Sequence, residues 1–502
     1  MRHRHRRGRN AERLPWSDRL IEAGTLALLI FTPLAYGTVE PWSEAIAELA
    51  ILGLGVVWLL AMLRQWELRV ELPPGWLPAL LFLGLIVIQS LPLPSWLVSV
   101  ASPAAAVLVR ESWAFTDGWA DMMPLSLHPD ATWRMALKFL SLGFFFLVVY
   151  NTYRTHAQVR RAIWVMIGMG TLIALFGIVQ RMTWNGRFYW VGPEAPHGGT
   201  FGPFVNRTHF AGLMVVIVPM ALAIALAGRR APERHRHSRD WRVRLRAWNS
   251  REAGPTSLIP WLVLLMGGAA LVSGSRGGVV ALLAALLVMV GIGAYGSWRT
   301  GRAWRIVLAT VLIVLTGIWI GGDIMYGTIG RLAEEIGQPE TSPRVHIWAD
   351  ALRLWPRFPA VGTGFGTFGV VFPLVRTIQA PVSYTHAESD WVQLLIDTGA
   401  VGLFLALLSV VMVARLLLLR YRGADSRWTS ALALGGLVAL AGAVAQGIAN
   451  FNLPVMSNFV YLALALALPL RAAGVARVTS AQGAESPEVA VSRSTKQEHV
   501  GV

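Results

Sequence analysis

Residues Tyr384–Leu403 read YTHAESDWVQLLIDTGAVGL, with His386, Glu388 and Asp390 at alternate positions and an apolar run of membrane length directly behind them. His386 and Glu388 would point to different faces of a regular helix. They converge only if they precede it in extended or turn conformation. The stretch is therefore the polar mouth of a membrane helix, with titratable groups at the water boundary and Asp397 deeper inside.

The rest of the chain fits that reading. Of its 502 residues 55% are hydrophobic and only 14% charged, and mean hydropathy is +0.52, too apolar for a soluble domain. The expected class is all-α: a polytopic integral membrane protein. Twelve apolar segments of roughly spanning length fall at about 20–36, 44–63, 76–93, 132–150, 158–180, 209–227, 258–274, 278–296, 304–321, 389–419, 429–449 and 456–470. The organisation expected is a basic cytoplasmic N-terminus (1–19), spans one to nine (20–321), a large loop (322–388), spans ten to twelve (389–470) and a disordered cytoplasmic tail (471–502). The basic opening MRHRHRRGRN resembles the start of a signal peptide, but no small-residue cleavage site follows Leu20–Tyr36, so that run is read as the first span.

Net charge is +16, and in so apolar a chain clustered Arg is a topology signal, so nucleic acid is not an expected partner. LRQWELR, NTYRTHAQVRR, GRRAPERHRHSRDWRVRLRAWNSRE, WRTGRAWR and LRYRGADSR fall on one side if twelve spans are counted, which assigns that side to the cytoplasm. Loops 94–131, 181–208 and 322–388 and the turns 274–278 and 450–455 then face outward. The absence of cysteine removes disulfides, thiolate nucleophiles and cysteine metal sites.

Arg207 in GPFVNRTHFAG, Arg276 in VSGSRGGVV and Arg344 in SPRVHIWADALRLWP lie on the outer side against that bias. One such Arg is explained by snorkelling or by a carboxylate partner. Three, each beside turn or small residues, point to a phosphate or pyrophosphate, which a guanidinium binds bidentately. Gly and Ser around Arg276 suit an anion nest or an ordinary interhelical turn, and Asn206 and Thr208 suit a helix cap. AVGTGFGTFG at 360–369 lacks the βαβ setting and Walker ending of a nucleotide loop and reads as a flexible connection. The His386 cluster is poor as a metal site, lacking i, i+4 spacing or a third His, but reasonable as a base.

The chain resembles the O-antigen ligase and O-antigen polymerase superfamily of bacterial envelopes. The likeness runs from YGTVEPWSEA to NFNLPVMSN and is most specific in TFGPFVNRTHFAGLM, SGSRGG, RVHIWADAL, GTGFGTF and HAESDWVQLLIDTGAVGL. It implies a GT-C-type, metal-independent glycosyltransferase without cofactor in the bacterial inner membrane, its large loop periplasmic. The donor would be a polyprenyl-pyrophosphate-linked glycan (undecaprenyl pyrophosphate), and the acceptor a hydroxyl on a glycan or lipid-linked partner in surface polysaccharide or lipopolysaccharide synthesis. Arg276 and Arg344 would hold the pyrophosphate, with Arg207 and Asn206 as further binding residues, and the His of the post-loop motif would help activate the acceptor. The family commonly places that His about eleven positions before a Gly, and counting back from Gly399 gives Glu388, two positions beyond His386. Either His386 or Glu388 takes the role, with Glu388 orienting His386 as a third arrangement. The competing class is a transporter or channel for a small solute, which would place its ionisable groups near the midplane.

Overall fold

The computed structural model describes residues 15–66, 69–73, 75–113, 121–195, 199–227, 258–297, 302–337, 343–377 and 383–484. The first part of the basic N-terminus, the Arg-rich loop at 228–254 and the tail beyond 484 lie outside the described residues. The described residues are mostly helical; Leu93–Pro94 and Met122–Met123 form a two-residue antiparallel pair.

Each of the twelve apolar segments is helical. Among the described residues, seven helices are long and apolar enough to cross a membrane: Pro41–Gln65, Pro129–Thr152, His156–Met182, Arg207–Ala227, Arg276–Gly293, Asp390–Arg422 and Arg427–Ala449. Trp76–Ser90, Ile259–Val272, Arg305–Ile320 and Met456–Arg471 are shorter apolar helices. A multi-pass helical membrane protein follows. Arg207–Ala227 is apolar on all sides and almost completely buried, which makes it the axis of the bundle. Arg427–Ala449, Ile259–Val272 and Arg276–Ser297 pack around it. Asp390–Arg422 lies at the edge, exposing Phe404 and Val411 to what would be lipid.

Two boundaries differ from expectation. Helix Arg302–Gly337 continues past 321 into the expected loop, and helix Met456–Ala484 continues past 470 into the expected tail. Hydropathy marks where apolar surface stops, and a helix whose hydrogen bonds are internal needs no apolar side chains to continue.

The Gly-rich segment 360–369 is docked, which corrects the expected flexible connection. Helix Asp390–Arg422 breaks at Gly399 (φ 65°, ψ −169°), and a break strips nearby carbonyls and N–H groups of their helical partners. The loop supplies them. Thr363 N–H donates to the Ile396 carbonyl (3.0 Å), Gly364 N–H to that of Asp397 (3.0 Å), Ala400 N–H to that of Pro359 (2.9 Å) and Val401 N–H to that of Ala360 (3.1 Å). A β-carbon on Gly399 would fall 2.3 Å from the Ala360 carbonyl oxygen, so only Gly fits there. Gln89 pins the assembly, donating to the carbonyls of Val361 (2.6 Å) and Asp397 (2.9 Å) and accepting from Phe365 N–H (3.0 Å). The Asp397 carboxylate accepts from Gly366 N–H at 2.9 Å, a structural use for the carboxylate inside the span.

Candidate active site

Helix Asp390–Arg422 starts at Ser389, whose Oγ accepts from Val392 N–H (3.4 Å) and donates to the Gly447 carbonyl (3.1 Å). The chain enters this cap through Glu388 in the left-handed region, φ 54°. For a residue with a β-carbon that conformation costs about 1–2 kcal/mol, and such outliers gather at functional sites. Its consequence is a division of side chains. Glu388 Oε2 reaches Arg344 Nε at 3.8 Å, while His386 Nδ1 lies 3.3 Å from Gln393 Oε1. Two residues expected in different roles, Arg344 and Glu388, are thus paired, and the partner of the His386 ring is Gln393 rather than Glu388.

The Gln393 contact selects a tautomer. Oε1 already accepts from Ala387 N–H (3.3 Å) and so faces the ring as an acceptor. Nδ1 then carries the hydrogen and Nε2 presents its lone pair. Burial holds the His386 pKa below its ordinary value, the Gln393 bond opposing and the Lys138 charge adding to the effect, which favours the neutral ring. Burial pushes Glu388 up from the usual carboxylate range, with Arg344 opposing. Lys138 itself is paired with Glu44.

The turn 450–453 closes against this helix start. Asp390 N–H donates to the Asn450 carbonyl (3.1 Å), and the Asp390 carboxylate accepts from Asn452 N–H (3.0 Å) and Leu453 N–H (3.3 Å). Trp391 Nε1 donates to the Val444 carbonyl at 3.0 Å. Phe451 on that turn stacks on His386, ring centroids 4.2 Å apart and planes 14° apart. Its ring also meets the edge of His209 at 5.3 Å and 83°. His209 is buried among these groups, and neither ring nitrogen has a hydrogen-bond partner among the described residues.

Arg276 opens helix Arg276–Ser297, half-buried. The preceding turn is knitted by its own serines, Ser273 Oγ accepting from Ser275 N–H (3.3 Å) and Ser275 Oγ from Gly278 N–H (3.2 Å). Those two N–H groups are therefore spent inside the turn. Gly277 lies against Asn450, where a β-carbon would come 2.1 Å from Nδ2. Asn450 is buried, and both of its side-chain polar atoms are unpaired among the described residues. Arg207 opens helix Arg207–Ala227, its N–H donating to the Gly199 carbonyl at 2.9 Å. Asn206 Oδ1 accepts from Thr208 N–H and Oγ1, both at 2.8 Å, the local capping use read from its sequence.

His386, Arg276 and the start of helix Arg207–Ala227 thus surround one turn, through Phe451, Asn450 and His209, and the Glu388–Arg344 pair stands two residues from His386. Gln393, Asp390 and residues 450–452 were not read from sequence as site residues. The visible signal was ANFN, a carboxamide-rich break between two apolar runs. Among the described residues, no group of three or more His, Asp or Glu is arranged to hold a metal ion.

Among curated proteins none matches the chain. Residues 261–407, which contain Arg276, Arg344, His386 and Glu388, match the family model described as O-antigen ligase, and the resemblance read from the motifs is borne out over that segment.

Proposed function

We propose that this chain is an O-antigen ligase-like glycosyltransferase of GT-C type, with twelve spans in a bacterial inner membrane and its site facing the periplasm. It transfers a glycan from a polyprenyl-pyrophosphate donor to a hydroxyl of a glycan or lipid-linked acceptor. His386 Nε2 takes the acceptor proton, and the acceptor oxygen attacks the anomeric carbon of the donor sugar. The bond from that carbon to the pyrophosphate oxygen breaks, and polyprenyl pyrophosphate leaves with the electron pair. Arg276 and Arg344 stabilise the charge that develops there, with Arg207 and Asn206 at the edge of the donor site. Arg344 exchanges Glu388 for pyrophosphate, a move eased by the length of the ion pair. Asn450, which lies against Gly277 directly after Arg276 in the chain, offers its carboxamide to the donor.

The observation that carries this reading is the set of contacts of the His386 ring: Nδ1 lies 3.3 Å from Gln393 Oε1, which already accepts from Ala387 N–H, so that Nε2 keeps its lone pair. Glu388, turned to Arg344, is the weaker candidate for the base. The test in cells is the glycan profile of a deletion strain. Lipid-linked long chains accumulate if the chain is a ligase and single lipid-linked repeat units if it is a polymerase. An unchanged profile contradicts the proposal.

A further inference from the structure

We propose that Asp390 and Phe451 are positioning residues for His386: Asp390 fixes the 450–453 turn so that Phe451 holds the imidazole flat, with its Nε2 facing the acceptor. The inference rests on His386 being the base, and it concerns residues of which one, Phe451, lies outside the segment matched by the family model.

Three contacts make the turn and the helix start one unit. Asp390 gives its N–H to the Asn450 carbonyl and takes the N–H groups of Asn452 and Leu453 on its carboxylate. These bonds bracket Phe451 on both sides along the chain, so the placement of its ring follows from the placement of Asp390. Ser389 and Trp391, the neighbours of Asp390, bond the carbonyls of Gly447 and Val444 and tie the same helix start to the end of helix Arg427–Ala449. A histidine side chain has two free torsions, and Gln393 restrains only one ring nitrogen. The parallel Phe451 ring at 4.2 Å restrains the other degree of freedom by covering one face, and Phe451 is itself packed edge-to-face with His209.

The same cover keeps water from the imidazole, which favours its neutral form. The charged and titratable groups around His386 are Lys138, which is paired with Glu44, His209 across Phe451, Glu388 on Arg344, and Asp390 in the turn. Shortening Phe451 leaves the Glu388–Arg344 pair and the backbone bonds of Asp390 without a lost partner, so the expected change at the imidazole is in its solvent cover. Opening the cover therefore raises the His386 pKa toward its ordinary value, and the acid limb of the rate profile shifts to higher pH.

The test measures kcat, KM and the pH profile of transfer for purified full-length variants at matched levels. Phe451→Leu is expected to lower kcat by on the order of 10²-fold, the cost typical of a misplaced catalytic group, with KM little changed and the acid limb moved up. Phe451→Tyr keeps the ring and is expected to restore most of the rate. Asp390→Asn should reproduce the Phe451→Leu profile, and in the Phe451→Leu background it should add little, because both act through one ring. Additive losses, or a Phe451→Leu profile with an unmoved acid limb, overturn the inference. His386→Ala separates the two levels: if it is inactive while Phe451→Leu and Asp390→Asn match wild type, positioning fails and the base stands. If His386→Ala is fully active, the underlying reading fails.

Discussion

Asn151 and Asn450 are buried to the same degree, each 1% exposed, at opposite ends of the bundle, and they are treated oppositely. Asn151 accepts from Glu71 N–H (2.8 Å) and donates to the carbonyls of Glu71 (3.0 Å) and Leu147 (2.9 Å). Nearby, Thr155 and Gln158 form a reciprocal capping box, and Arg161 grips Glu22 through two bonds, 2.5 and 2.8 Å. At the other end neither side-chain atom of Asn450 and neither ring nitrogen of His209 is paired among the described residues, and Gln446 Oε1 and Asn452 Nδ2 share that condition. An unpaired buried polar group costs about 1–3 kcal/mol, so such groups persist where something other than stability selects them. Tyr153 Oη, Thr25 Oγ1 and Arg471 Nε are unpaired near Asn151 as well, among the described residues, so the contrast is between the two asparagines themselves: Asn151 is spent on holding the fold, and Asn450 beside the proposed site is not.

The largest effect is expected at His386. His386→Ala should lower transfer by on the order of 10²–10⁴, the range for losing a general base, whereas Glu388→Gln should cost far less. In wild type the rate should rise with pH as His386 loses its proton, with a midpoint below the ordinary 6.5, because burial lowers that pKa. A midpoint above 6.5 contradicts the lowered His386 pKa, and collapse only in Glu388→Gln moves the role to the carboxylate.

Arg276→Lys and Arg344→Lys keep the charge but lose the bidentate fork. Each should reduce kcat by on the order of 10²–10³, as for removal of one transition-state donor, with protein levels unchanged. Full activity in both removes pyrophosphate binding from the account.

Gly399→Ala places a β-carbon at positive φ against the Ala360 carbonyl. The expected loss is about 3 kcal/mol of stability from strain and overlap together, read as a lower melting temperature in detergent. A melting temperature equal to wild type would show that the break in the helix is not held by the docked loop.

The two asparagines sharpen the comparison directly. Asn151→Ala should lower stability by about 1–2 kcal/mol and leave transfer per folded molecule unchanged. Asn450→Ala should leave the melting temperature equal or higher, because it deletes unpaired groups, and should cost transfer about tenfold, roughly one charge-assisted bond. The reverse pattern would erase the distinction between the two asparagines. Smallest of all, Glu388→Gly should be more stable than Glu388→Ala by about 1 kcal/mol, since both lose Arg344 and only Ala keeps the left-handed strain.

Much of the bundle was legible because apolar runs and helices coincide in a membrane chain: all twelve segments became helices. Arg207, Arg276 and Arg344 stood out because they break the expected charge asymmetry, and the first two each open a helix. Where the helices of residues 302–337 and 456–484 end was not, since hydropathy is silent once apolar surface stops. GTGFGTF looked like slack because its partners, the freed groups around Gly399, exist only after the helix breaks. Gln393 sat in plain view seven residues from His386, but its bond depends on the left-handed turn at Glu388 that sends the two side chains apart. Phe451 was hidden for a different reason, its contact with His386 being set by hydrogen bonds between Asp390 and a turn some sixty residues away.

The central claim is that this end of the bundle moves a glycan, with His386 as its base. The most direct measurement is transfer in proteoliposomes that hold purified protein, polyprenyl-pyrophosphate-linked glycan and an acceptor glycan, following glycosylated acceptor and released polyprenyl pyrophosphate together. Wild type should produce both in equal amounts, and His386→Ala neither above background. Equal yields from wild type and His386→Ala, or solute flux across the vesicle without either product, would contradict it.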